Sequence, residues 1–250
     1  GIPVEDVHVV STQDTDVTPF GTGAYASRQT YIGGFSIMQT AQALRERILQ
    51  IAHEQTRMPV SVLDLVDGKI IRKEDGRVLK SLGDLAMESL YSLEHSQHIT
   101  AETTAQIKSN AYSFGCSFAE VEVDVPLCKV KLLNLVNVHD CGTLINPALA
   151  EAQVHGGMSM AIGYGLSEEL KFDEKTGKPL NNNLLDYKLS TFMDHPSPYG
   201  TKALGDPPAC SPAPAIRNAI LNATGVAFDA CPITPHVLYR GFKEAGLIED

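Results

Sequence analysis

The five cysteines of this chain, Cys116, Cys128, Cys141, Cys210 and Cys231, are odd in number, widely spaced and never in a CxxC pair. That pattern excludes a disulfide framework, a zinc knuckle and an iron–sulfur site, and suits free thiols in a reducing compartment. No apolar run comes near the roughly 18 residues that a membrane-spanning helix needs. No signal peptide is read at the N-terminus, where Asp6 and His8 interrupt any hydrophobic segment. Positive charge is also short: 20 basic against 30 acidic residues leave a formal charge of -10, which repels phosphate backbones and anionic membranes. These absences point to a cytoplasmic protein with neither a nucleic-acid nor a membrane partner. There is no Gly-x-Ser-x-Gly elbow, no Walker A loop and no GxGxxG fingerprint. The eight histidines contain no HExxH or comparable ligand pair, so a metal held directly by protein side chains is not expected.

What is present reads as a globular chain. Its 250 residues, 43% apolar and 20% charged, suffice for one large domain or two small ones with a buried core. Gly1-Ile2-Pro3-Val4 leads into His8-Val9-Val10 with no Met and no opening cap, as though the sequence begins inside a domain. Ile37, Ala41, Leu44, Ile48 and Ile51 recur at spacings of three and four, predicting a helix that ends before Pro59. Asp67-Gly68 and Asp75-Gly76 predict tight turns between short strands, and a short helix is expected around Leu82 to Leu90. The alternation Phe118 to Asp124, a turn at Pro126 and a return through Val130 to Val138 predict a long hairpin. Asn146-Pro147 opens a helix crowded with Ala and Gly, and interior glycine costs about 1 kcal/mol relative to Ala, so a packing or binding reason is required. Two more helices follow, one closed by Gly225 and one opened by Thr234-Pro235. The class is α+β, with mixed sheets and packed helices, divided into subdomains at 1–110 and 111–250.

Two segments could carry chemistry. In Gly21-Thr22-Gly23-Ala24-Tyr25-Ala26-Ser27-Arg28-Gln29-Thr30, glycines let the main chain approach a ligand, and Ser27, Arg28, Gln29 and Thr30 supply donors for an anion. An ordinary surface turn is the competing reading. Asp206 stands between Gly205 and Pro207-Pro208, an arrangement able to hold a carboxylate rigidly as a general base requires. A solvated turn residue or a helix cap would look the same. Gln153, one turn before Gly156-Gly157, could present an amide to a polar ligand, and Lys202 could offset charge beside Asp206.

Taken in order, these segments resemble the molybdenum hydroxylases, the xanthine dehydrogenase and aldehyde oxidase group. The residues concerned are Asp14-Thr15-Asp16 with Thr18 to Arg28, Gln153-Val154-His155-Gly156-Gly157, and Lys202-Ala203-Leu204-Gly205-Asp206-Pro207-Pro208. Asn137-Val138-His139-Asp140 with Asn146-Pro147 resembles the bacterial xanthine dehydrogenase branch in particular. The resemblance implies a molybdopterin cofactor held by Gly23, Ala24, Tyr25, Ala26, Ser27, Arg28 and Gln29, with Gln153 on the pterin and Lys202 supporting the site. It implies Asp206 as the base that activates the oxygen nucleophile for attack on an electron-poor carbon of a purine, another N-heterocycle or an aldehyde. It also implies an N-terminal half of the same subunit, since the family's earlier glycine- and arginine-bearing loops are missing, and iron–sulfur and flavin subunits carrying [2Fe-2S] and FAD. Two departures accompany these expectations. The stretch between Asp194 and Tyr199 is shorter than in the family. The family's glutamate is also aspartate here, which withdraws the carboxylate by roughly 1.5 Å, where a misplacement of about 1 Å can cost on the order of a hundredfold in rate. A non-catalytic assembly subunit that kept the fold, or a free-standing anion-binding module, are the rival expectations.

Overall fold

A computed structural model describes residues 1–18, 20–21, 23–93, 96–104, 111–183 and 204–249. They form two compact units: Gly1–Tyr25 with Gln29–Lys108, and Ala26–Arg28 with Ser109–Asp250. The α+β class holds, and both sheets among the described residues are antiparallel rather than mixed.

In the first unit, helix α1 (Gln29–Thr56) precedes three short strands, β1 (Leu63–Val66), β2 (Lys69–Arg72) and β3 (Val78–Ser81), and helix α2 (Leu82–Tyr91). Asp67 and Gly68 both adopt left-handed backbone, with φ of 48° and 67°, as a two-residue hairpin turn requires. Ser81 caps α2, its hydroxyl accepting from the Asp84 amide at 3.0 Å. The core gathers Ile48, Leu49, Ile51 and Ala52 of α1 with Leu63, Leu65, Ile70 and Leu85. The predicted helix begins earlier than its apolar periodicity, and Ile37, expected on its inner face, is 72% exposed. A helix of 28 residues spans roughly 42 Å, whereas strands of four residues span about 13 Å, so the sheet covers only the last turns of α1.

The second unit is built on a hairpin of β4 (Phe114–Asp124) and β5 (Lys129–Asp140), paired from Phe114↔Asp140 to Asp124↔Lys129 with a bulge at Glu120/Val121. Helices α3 (Pro147–Leu166), α4 (Pro207–Cys210), α5 (Pro212–Thr224) and α6 (Pro235–Glu244) follow. One face of the hairpin joins Ile216, Ile220, Phe228, Ile233, Leu238 and Phe242 in the core, where Phe228 and Phe242 meet edge-to-face at 6.1 Å. Asn146 caps α3 by accepting from the Leu149 amide at 3.1 Å, and Gly225, at φ 74°, ends α5. Two of the glycines of α3, Gly157 and Gly165, have packing reasons. A Cβ on Gly165 would lie 3.4 Å from Ala213 Cβ of α5, and one on Gly157 would lie 2.7 Å from Pro208 Cβ of α4. All five cysteines are free thiols.

Candidate functional site

Asp206 is the N-cap residue of α4, yet its side chain makes no capping bond. The reason is local chemistry. A capping carboxylate normally accepts from the amide two or three residues on. Pro208 has no N–H, and the Ala209 amide is taken by the Asp206 carbonyl at 3.0 Å. Pro208 and that backbone bond therefore deny the carboxylate its usual partners, and it stands exposed to solvent. Its backbone, by contrast, is held from several directions. The Ser27 hydroxyl accepts from the Asp206 amide at 2.7 Å. Asn137 of β5 donates its side-chain amide to the Pro208 carbonyl at 3.1 Å. Asn137 in turn accepts from the Ser117 hydroxyl at 2.9 Å, and Ser117 and Ser211 hydroxyls lie 2.6 Å apart. Gly157 lets α3 press directly on Pro208.

The glycine-rich loop is divided between the units. Gly23, at φ 81°, and the exposed Ala24 and Tyr25 belong to the first, as does Gln29, the opening residue of α1. Ala26, Ser27 and Arg28 go with the second unit, where the Ser27–Asp206 hydrogen bond lies. Ala26 and Ser27 are both left-handed, at φ 52° and 55°, a conformation costing L-residues about 1–2 kcal/mol each. Strain of that kind persists only where surrounding contacts fix the chain. Gln153 lies on the solvent face of α3 one turn before Gly156, at which a Cβ would meet nothing within 4 Å. Thus the second unit contains Ala26, Ser27, Arg28, Gln153 and Asp206. Lys202, expected beside Asp206, and the short stretch from Asp194 to Tyr199 lie outside the described residues.

Sequence reasoning missed Asn137 as an anchor of the Asp206 turn. The available signal was a polar residue in the inward phase of an apolar strand, between Leu135 and His139. His139 is the second such residue. Both its ring nitrogens are buried and unpartnered among the described residues, and burial pushes its pKa below the ordinary value. A Cβ on the facing Gly115 would come within 2.5 Å of His139 Nδ1. A separate cleft of about 530 Å³ in the second unit is lined by Glu122, Lys131, Leu166, Ile233 and Leu238, and by none of the expected site residues.

With that geometry in place, the chain is identified by comparison: it belongs to the molybdopterin cofactor-binding domain family, which residues 1–196 match. It is 45% identical over 99% of its length to the putative xanthine dehydrogenase molybdenum-binding subunit XdhA of Escherichia coli K12, of which it spans 35%. Its fold resembles quinoline 2-oxidoreductase from Pseudomonas putida 86, with a TM-score of 0.70 at 27% identity over 92% of this chain and 32% of that one. It also resembles the Cu,Mo-CO dehydrogenase in its carbon monoxide reduced state, with a TM-score of 0.72 at 25% identity over 94% of this chain and 32% of that one. The chain thus spans about a third of the length of the proteins it matches.

The residues present fit such a cofactor. A serine hydroxyl has one donor and two acceptor sites, so Ser27 can accept from Asp206 and still donate to an anionic oxygen. Arg28 adds a guanidinium suited to phosphate oxygens. The open space at Gly156, beside the exposed Gln153 amide, offers a face on which a flat polar ring can rest.

Proposed function

We propose that this chain is the molybdopterin-binding part of a xanthine dehydrogenase-like cytoplasmic oxidoreductase. It acts on a purine or other N-heterocycle, or an aldehyde, when joined to an N-terminal half and to iron–sulfur and flavin subunits carrying [2Fe-2S] and FAD. When bound, the cofactor supplies two-electron redox chemistry that hydroxylates an electron-poor carbon with water as the oxygen source. Gly23, Ala24, Tyr25, Ala26, Ser27, Arg28 and Gln29 bind its anionic end. Gln153 contacts the pterin, and Lys202 supports the site.

Asp206 is the general base in this reading. Its carboxylate accepts the proton lost by the oxygen nucleophile. The observation that carries the assignment is a solvent-facing carboxylate with no capping bond on a turn anchored by Ser27, Asn137 and Gly157. An aspartate has a short reach, so the rigidity of that turn decides where the proton acceptor stands.

The test is turnover of xanthine per bound molybdenum in the assembled complex. A general base contributes roughly a hundredfold to ten-thousandfold, so Asp206→Ala lowers kcat by that order with molybdenum content unchanged. Asp206→Glu, which restores the missing methylene, keeps activity. Unchanged turnover in Asp206→Ala removes Asp206 from the mechanism. A second reading, a non-catalytic assembly subunit, is favoured by aspartate at the position of the family's glutamate. Its signature is a wild-type complex that holds molybdenum and turns nothing over.

A further inference from the structure

We propose that Ser27 is a positioning residue for Asp206, and that residue 205 is glycine in order to admit the Ser27 hydroxyl. The proposal rests on the reading of Asp206 as the base and adds to it the device that aims the carboxylate. Ser27 Oγ accepts the Asp206 amide at 2.7 Å, a contact between residues 179 positions apart in sequence.

The glycine at 205 is explained by that contact. Its backbone is outside the left-handed region, so chain conformation does not demand glycine there. Space does. A Cβ at residue 205 would sit 2.5 Å from Ser27 Oγ and 3.4 Å from Ser27 Cβ, and among the described residues beyond its two chain neighbours no other atom lies within 4 Å of it. Any side chain at 205 therefore pushes Ser27 away from the amide it accepts.

The consequence for Asp206 follows from its length. With only two side-chain torsions, its carboxylate is confined to the few positions that its rotamers reach from its own Cα and the direction of the Cα–Cβ bond. A hydrogen bond to the amide of the same residue is the shortest lever on both. On the other side, Pro207 fixes the backbone by its ring. Ser27 is itself held at φ 55° beside Ala26 at 52°, so its hydroxyl is presented by a chain that surrounding contacts must hold.

Cofactor binding uses the donor of Ser27 and carboxylate positioning its acceptor, so removal of the hydroxyl touches both, and molybdenum content reads the first while kcat per molybdenum reads the second. The experiment compares Ser27→Ala, Ser27→Gly, Gly205→Ala and Ser27→Ala/Gly205→Ala in the assembled complex. It reads molybdenum content, kcat per molybdenum, KM for xanthine, and the thermal unfolding midpoint. Positioning predicts that in Ser27→Ala kcat per bound molybdenum falls about tenfold to a hundredfold at unchanged KM, the scale of a misplacement near 1 Å, beside whatever molybdenum the lost donor costs. Ser27→Gly relieves the left-handed backbone but lacks the same hydroxyl, and it loses kcat equally. Gly205→Ala lowers kcat and the unfolding midpoint in the wild-type background. In the Ser27→Ala background it adds less than about twofold, since the atom it would strike is gone; such non-additivity is what direct contact produces. Loss of molybdenum with unchanged kcat per molybdenum in Ser27→Ala overturns the proposal and leaves Ser27 a cofactor ligand only. Multiplicative effects of the two substitutions overturn it as well. Failure of the underlying reading looks different: Asp206→Ala leaves kcat per molybdenum unchanged, while the coupling of residues 27 and 205 in the unfolding midpoint persists.

Discussion

The side-chain amide of Asn137 donates to the carbonyl oxygen of Pro208 at 3.1 Å, tying the middle of β5 to the turn that presents Asp206. Pro208 is fully buried, so its carbonyl has little recourse to water once that donor is removed. A hydrogen bond contributes about 1 kcal/mol net, and an orphaned buried partner adds to the loss. Asn137→Ala is expected to lower unfolding stability by about 1–3 kcal/mol in urea titration. Asn137→Asp is expected to cost more, because it replaces the donor with an oxygen facing an oxygen.

Gly156 and Gly157 make a paired prediction. A Cβ on Gly157 would lie 2.7 Å from Pro208 Cβ and 3.0 Å from the Ala209 nitrogen, so Gly157→Ala displaces α4 and costs about 1–3 kcal/mol as overpacking does. At Gly156 the same added methyl meets open space, and Gly156→Ala gains up to about 1 kcal/mol of helix stability. Thermal unfolding of the two variants is expected to shift in opposite directions. Neighbouring glycines with equal effects would contradict the packing described.

His139 sets a pH dependence. Its folded pKa lies below the ordinary imidazole value of 6.5 because burial disfavours the charged ring. Below that value the unfolded chain takes up a proton that the folded chain resists, so this contribution to stability is full above about pH 6.5 and is lost as pH falls. Unfolding stability compared at about pH 7.5 and pH 5.5 is expected to drop at the lower pH. His139→Leu is expected to flatten that difference.

The cap of α3 is a local test. Asn146 Oδ1 accepts from the Leu149 amide at 3.1 Å, and Asn146→Ala is expected to cost about 1 kcal/mol. Asn146→Ser, which keeps a capping oxygen, is expected to recover most of it. Chemical denaturation of the three proteins side by side measures the difference.

How much of this was legible in the sequence depended on range. The Asp67-Gly68 turn, the Asn146-Pro147 helix start and the Gly225 stop were read correctly because each is decided by residues within a few positions. The long hairpin was also legible, through its alternation. The outer half of α1 was not, since periodicity reports an apolar face and cannot say how far a neighbouring sheet extends to cover Ile37. Asp206 could be singled out from its glycine and prolines. Its lack of a capping bond became evident only with the partner of the Ala209 amide known. The ties from Ser27 and Asn137 span 179 and 71 positions, and no local pattern encodes such pairings.

Three separate stretches of chain, at Ser27, Asn137 and Gly157, converge on residues 205–208. A change in one of them is thus judged against the others, and substitutions in this neighbourhood are expected to be non-additive. Among relatives, a bulkier residue at 205 is expected to accompany a lost hydroxyl at 27, and a side chain at 157 to accompany a smaller partner at 208. Engineering that transplants the acidic turn alone imports a shape whose supports stay behind; the transferable unit is the whole set.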